Sequence, residues 1–142
     1  MISYGDIYEA LRRDRYNEQL QKLPSSFISD VAAYLKEKKG LSEKNDEMFS
    51  DSVIKTKKQY ENAISIFHEL MLRRKKKLLT LSFIAAETGI SKKDFDNMLP
   101  FEKELFDKIM INMEEAEKKL FGQLNGEAKK KQNLLICFKE DV

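Results

Sequence analysis

Two residue types with the reactivity of a nucleophile or metal ligand occur once each, His68 and Cys137. A metal site needs several converging ligands. His68 has Glu69 beside it and no further ligand close in sequence, so a structural or surface histidine is the expectation. Cys137 would need a nearby base to act as a nucleophile, and it sits in the apolar run Leu134-Leu135-Ile136-Cys137-Phe138. A single cysteine also excludes a disulfide framework and a thiolate zinc site, and points to a reducing compartment. Carboxylates are plentiful (Glu114, Glu115, Glu117, Asp94, Asp96), but they interleave with lysines at the spacing of solvated helix pairs. None of the phosphate-cradling, dinucleotide-binding, serine-hydrolase or zinc-protease signatures is present. The expectation is a protein that is not an enzyme and holds no metal or cofactor.

The densest charge is Arg73-Arg74-Lys75-Lys76-Lys77. Clustered cations can contact phosphates and release counterions from nucleic acid. Consecutive helical residues, however, project all around the helix and do not line one face. Part of the run must therefore lay its aliphatic stems over a core or pair with acids such as Glu102, Glu104 or Glu114. No aromatic residues interleave with the run to stack bases. Ion pairing is the favoured reading, and a helical DNA-binding module using Arg73 to Lys77 is the alternative. The net charge of +2, from 26 basic and 24 acidic residues, adds no field that favours nucleic acid.

The elements that position these residues follow from composition and punctuation. The chain has 142 residues, close to the ~150-residue prior for one domain. It is 42% hydrophobic and 35% charged, with 5 Gly and 2 Pro, which excludes disorder and collagen and marks a helical protein. No apolar run approaches the ~18 residues of a membrane span, and the N-terminus is not a signal peptide, so a soluble, intracellular protein is expected.

Ser3 caps a first helix, roughly Tyr4 to Arg15. After Leu23-Pro24, Ser25 or Ser26 caps a second helix with the stripe Phe27, Ile28, Val31, Leu35, ended by Lys38-Lys39-Gly40. Leu41 to Thr88 holds neither Pro nor Gly. Within it Val53, Lys57, Tyr60, Ile64, Phe67, Met71, Arg74, Leu78, Leu81 and Ala85 alternate steps of four and three, a heptad seam widened by Ala63 and Leu70. A helix of ~40 residues spans ~60 Å and must protrude or meet a partner. Gly89 ends it, Ser91 caps a short helical turn, and Pro100 opens a last helix with the stripe Phe101, Leu105, Ile109, Met113, Ala116, Leu120, ended by Asn125-Gly126. Beyond a basic linker, Asn133 to Phe138 reads as a strand with no sheet to join. The fold class is an all-α helical bundle with two long amphipathic helices and a short C-terminal strand remnant.

Three stretches then show a likeness. Ile2-Ser3-Tyr4-Gly5-Asp6-Ile7-Tyr8-Glu9-Ala10-Leu11-Arg12-Arg13-Asp14-Arg15, with Leu20-Gln21-Lys22-Leu23-Pro24 and Phe27 to Leu35, resembles the N-terminus of archaeal GINS subunits. So do Tyr60-Glu61-Asn62-Ala63 leading to Arg73-Arg74-Lys75-Lys76-Lys77-Leu78-Leu79, and Leu99-Pro100-Phe101-Glu102-Lys103-Glu104-Leu105-Phe106. The resemblance covers about residues 1 to 125. It implies a helical A domain over 1–125, and over 126–142 a linker and the start of a β-rich B domain that is otherwise missing. It further implies a non-catalytic subunit of a homo- or heterotetramer in chromosomal DNA replication, cytoplasmic and nucleoid-associated. Such a scaffold would bridge the MCM helicase and a RecJ-like DHH-family protein, with weak DNA contact at most. On this reading Val53, Tyr60, Ile64, Phe67, Met71, Leu78, Phe101, Leu105, Ile109 and Met113 are core or subunit-interface candidates.

Overall fold

In a computed structural model of the chain, residues 1–44 and 51–135 are described, with backbone alone for Lys44 and for 127–135. Five helices follow in order: α1 (Tyr4–Arg15), α2 (Phe27–Lys44), α3 (Asp51–Thr88), α4 (Lys92–Asp96) and α5 (Pro100–Leu135). Among the described residues the all-α reading holds.

The starts of α1 and α4 are made by serine side chains, whereas at the expected serine cap of α2 the Ser26 hydroxyl donates to the Asp30 carboxylate at 3.0 Å. Ser3 Oγ accepts from the Asp6 amide at 3.2 Å, and Asp6 Oδ2 accepts from the Ser3 amide at 2.9 Å. This reciprocal box satisfies two orphan donors at the head of α1. Ser91 Oγ caps α4 through the Asp94 amide at 3.1 Å. The stop of α3 is made by Gly89, whose φ of 83° suits a residue without Cβ, while its amide donates to the Ala85 carbonyl at 2.9 Å.

Two expected stops are absent. α2 runs through Gly40 to Lys44, and α5 runs through Asn125 and Gly126 to Leu135. A glycine inside a helix costs about 1 kcal/mol, which a long helix tolerates. The first half of the expected strand, Asn133, Leu134 and Leu135, is therefore helical. Its remainder, with Cys137, lies outside the described residues.

α3 is the axis of the fold. Against its first half pack α1, through Ile7, Ala10 and Leu11, and α2, through Phe27, Val31 and Tyr34; these meet Ala63 and Leu70. Against its second half pack Leu20, Met98 and Phe106, which meet Leu78 and Ala85. α5 runs parallel to α3: Glu102 in its first turn pairs with Arg74, and its residues Met110 to Leu120 share a groove with Ala86, further along α3. From Glu114 to Gly126 every α5 side chain is exposed, so the helix continues past the body it packs on.

The buried faces are rotated from the expected stripes. On α3, Val53, Arg74, Leu78 and Ala85 of the seam are buried, while Tyr60, Ile64, Phe67, Met71 and Leu81 are half-buried and Lys57 is exposed. Ala63 and Leu70, expected only to widen the seam, and Ser82, outside it, are buried as well. On α5, Phe101 and Leu105 are exposed, Ile109 and Met113 half-buried, and the buried positions are Glu102 and Phe106. The cause is Arg74. Its partner Glu102 must face inward, and that turns the neighbouring Phe101 toward solvent.

Candidate functional site

The basic run divides by role once it is placed on α3. Arg74 is fully buried between the two apolar clusters. Its Nε donates to Glu102 Oε2 at 3.0 Å and its Nη2 to Glu102 Oε1 at 2.7 Å, a bidentate fork. Nη1 donates to the Gln21 carbonyl at 2.6 Å, and Nη2 also reaches the Asn97 carbonyl at 3.1 Å. Asn97 Nδ2 donates to the Leu20 carbonyl at 3.0 Å. One guanidinium thus ties together the α1–α2 connection, the α4–α5 turn and the start of α5. Among the acids named from sequence, Glu102 is the partner; Glu104 and Glu114 pair with Lys108 and Lys118 along the α5 surface.

Lys77 closes the end of α1 in a similar way. Its ammonium donates to the carbonyls of Asp14 at 2.8 Å, Asn17 at 2.7 Å and Gln19 at 3.3 Å. It also lies 3.0 Å from Asp14 Oδ1, an ion pair whose angle falls outside hydrogen-bond geometry, so the buried Asp14 carboxylate accepts no hydrogen bond among the described residues. Arg73 and Arg15 converge on Glu69, at 2.9 and 2.7 Å. Hydrogen bonds from Arg15 first, then Arg73, hold the Glu69 carboxyl down at about 2. Lys75 and Lys76 are exposed and have no ion pair among the described residues. The run is chiefly a set of ties holding α1, α3 and α5 in place, with two cations left on the surface.

His68 is exposed, and its neighbour Glu69 is engaged with the two arginines. No group of three His, Cys, Asp or Glu able to hold a metal occurs among the described residues. None of the helices among the described residues is long and apolar enough to cross a membrane.

The feature with functional content is a surface one. Leu72, Leu79 and Phe83 recur at spacings of seven and four on the side of α3 turned away from Ala63, Leu70 and Leu78, and Phe83 is 65% exposed. α5 adds Phe101, Leu105, Ile111, Leu120, Phe121 and Leu124, all exposed. Scattered apolar residues are ordinary on a surface, and those of α5 are spread around the helix, but the periodic row on α3 marks an interaction face. Sequence periodicity missed the α3 row because the stronger heptad seam on the same helix conceals it.

Against protein-family models, curated proteins and solved structures, the chain shows no match.

Proposed function

We propose that this chain is a non-catalytic assembly subunit that associates through the outer faces of α3 and α5, in the manner of the GINS scaffolds its sequence resembles. The observation that carries the reading is the row Leu72, Leu79, Phe83 on the outer side of α3, opposite the packed side, in a helix of 38 residues. A folded chain that keeps such a row has a use for it outside its own core. The likeness to GINS adds a second line of support. The stretches that carry it, around Gln21, Arg74 and Glu102, meet at one buried hub. On this reading the partners are further copies or related subunits forming a tetramer, and through them the MCM helicase and a RecJ-like DHH-family protein.

Light scattering at micromolar protein tests the assembly. A dimer or tetramer is expected, converted to smaller species by Leu79→Asp and by Phe83→Asp with the helical circular dichroism unchanged, because both residues are outside the core. A wild-type monomer, or variants with wild-type mass, overturns it. The DNA-binding alternative rests on Lys75 and Lys76 alone, since Arg73, Arg74 and Lys77 are engaged within the protein.

A further inference from the structure

Where α5 passes the end of α3, the two helices leave a groove of about 490 Å³. Its walls are Ala86 of α3 and Met110, Ile111, Met113, Ala116 and Leu120 of α5. Methionine and small alanines make an adaptable, open apolar floor. Two carboxylates, Glu114 and Glu117, line the same groove, and no cation does. Glu114 is reached by Lys118 at 3.4 Å on the exposed surface, and Glu117 has no ion pair among the described residues. The apolar track continues beyond the groove through Phe121 and Leu124, both about half exposed. From Met110 to Leu124 it is about 20 Å long, nearly four helical turns.

We propose that this groove docks an amphipathic helix from a partner protein, with leucine-type residues on one stripe and lysine or arginine on its flank. Length argues for a helix and against a small molecule: the track outruns the cavity and stays open along its course. Ala86, near the end of α3, closes the groove on one side, and beyond it the row of α5 side chains offers a partner helix the ridges and grooves it packs into. Charge selects the flank. Glu114 and Glu117 favour a basic neighbour, and they disfavour a second copy, because two-fold pairing centred on the groove would set these carboxylates against their own counterparts. The protein's net charge is only +2, positive in sign, so no overall field draws in a basic helix. Any such preference is local to this site.

The groove shares Ile111, Leu120, Phe121 and Leu124 with the α5 part of the assembly face, but its test is separate: it changes Glu114 and Glu117, whereas the assembly test changes Leu79 and Phe83 on α3. The probe is a fluorescent 18-residue model helix with leucine at helical spacing and lysine on its flanks. The controls are the same peptide with glutamate for lysine, and a scrambled sequence of equal composition. Anisotropy should show micromolar binding of the lysine helix, weakened by salt and by about tenfold in Glu114→Lys/Glu117→Lys, whose exposed positions leave the fold intact. Equal binding of the glutamate or scrambled peptide, no binding up to millimolar peptide, or an unaffected double variant overturns it. So does a change of oligomeric mass in the double variant without an effect on the peptide, which would assign the groove to a second copy.

Discussion

Glu102 serves Arg74 and the head of its own helix with the same carboxylate. Oε1 accepts from Arg74 Nη2 at 2.7 Å and from the Leu99 amide at 2.8 Å, while Oε2 takes Arg74 Nε. Leu99 precedes Pro100, so Glu102 stands at the third helical position and reaches back to the capping residue, one half of a capping box. Leu99 has no side-chain oxygen to return the bond, so the box is one-sided, and the rest of the carboxylate's bonding comes from the Arg74 guanidinium, which donates to both its oxygens. The ion pair and the start of α5 are one structure.

The first prediction follows from that coupling. Arg74→Met leaves Glu102 buried without its cation, and Glu102→Leu leaves a buried guanidinium; each should cost about 3–5 kcal/mol. The double variant should recover much of the loss, since a buried pair replaced by apolar residues is often neutral. Urea denaturation of the four proteins checks this. Additive losses would mean that the two residues act separately. Arg74→Lys should behave nearly as badly as Arg74→Met, because a point ammonium cannot fork onto Glu102 and also reach the Gln21 and Asn97 carbonyls.

Lys77 gives a second prediction with a different signature. Removing its ammonium in Lys77→Met frees three carbonyls near the surface and strands the buried Asp14 carboxylate. A loss of about 3 kcal/mol is expected, with the end of α1 affected first. Adding Asp14→Asn should restore part of it, because a neutral amide is cheaper to bury than an unpaired charge. Hydrogen exchange at the end of α1 should rise in Lys77→Met and fall back in the double variant. Exchange that rises equally along α5 would show that the tie is not local.

Glu69 sets a pH dependence. Its carboxyl is held at about 2, against an ordinary value of 4.5, by the hydrogen bonds from Arg15 and Arg73. A depressed folded value means that the stabilisation is complete above pH 4.5 and is lost as pH falls from there through about 2. The pair is partly exposed, so the effect on global stability should be small and screened by salt. The sharper readout is the carboxyl carbon of Glu69 by NMR, with a midpoint near 2 in the wild type. Arg15→Gln should raise that midpoint toward 4.5; an unchanged midpoint would mean that Arg73 alone holds it.

How legible this fold was depends on the element. Where a start is made by a serine or a stop by a glycine at positive φ, local chemistry writes it plainly: Ser3, Ser91 and Gly89 do what such residues do. The rotation of α5 was hidden because its inward residue is Glu102, and a pattern of apolar spacing has no place for a buried acid. Phe101 and Leu105 therefore looked like a core stripe while facing outward. The seam on α3 was read correctly at Val53, Arg74, Leu78 and Ala85, but in its first half the centre is Ala63 and Leu70, which had only widened it, and a buried Ser82 has no place in an apolar pattern. Of the basic run, its pairing with Glu102 could be foreseen. The carbonyl ties of Lys77 could not, because they depend on where the backbone of Asn17 and Gln19 comes to lie.

Glycines give the last prediction, because position and not residue type decides their effect. Gly40 sits inside α2 in ordinary helical backbone, and a Cβ there would meet nothing within 4 Å. Gly40→Ala should therefore stabilise, by up to about 1 kcal/mol, through the lost freedom of the unfolded chain and the better helix propensity of alanine. Gly89 also has open space, but its φ of 83° strains any L side chain, so Gly89→Ala should destabilise by about 1 kcal/mol. For a chain of this size the two melting temperatures should shift by roughly 3 °C in opposite directions. If Gly40→Ala lowered the melting temperature as Gly89→Ala does, α2 would end at Gly40, as the Lys38-Lys39-Gly40 sequence suggests, and the helix to Lys44 would be wrong.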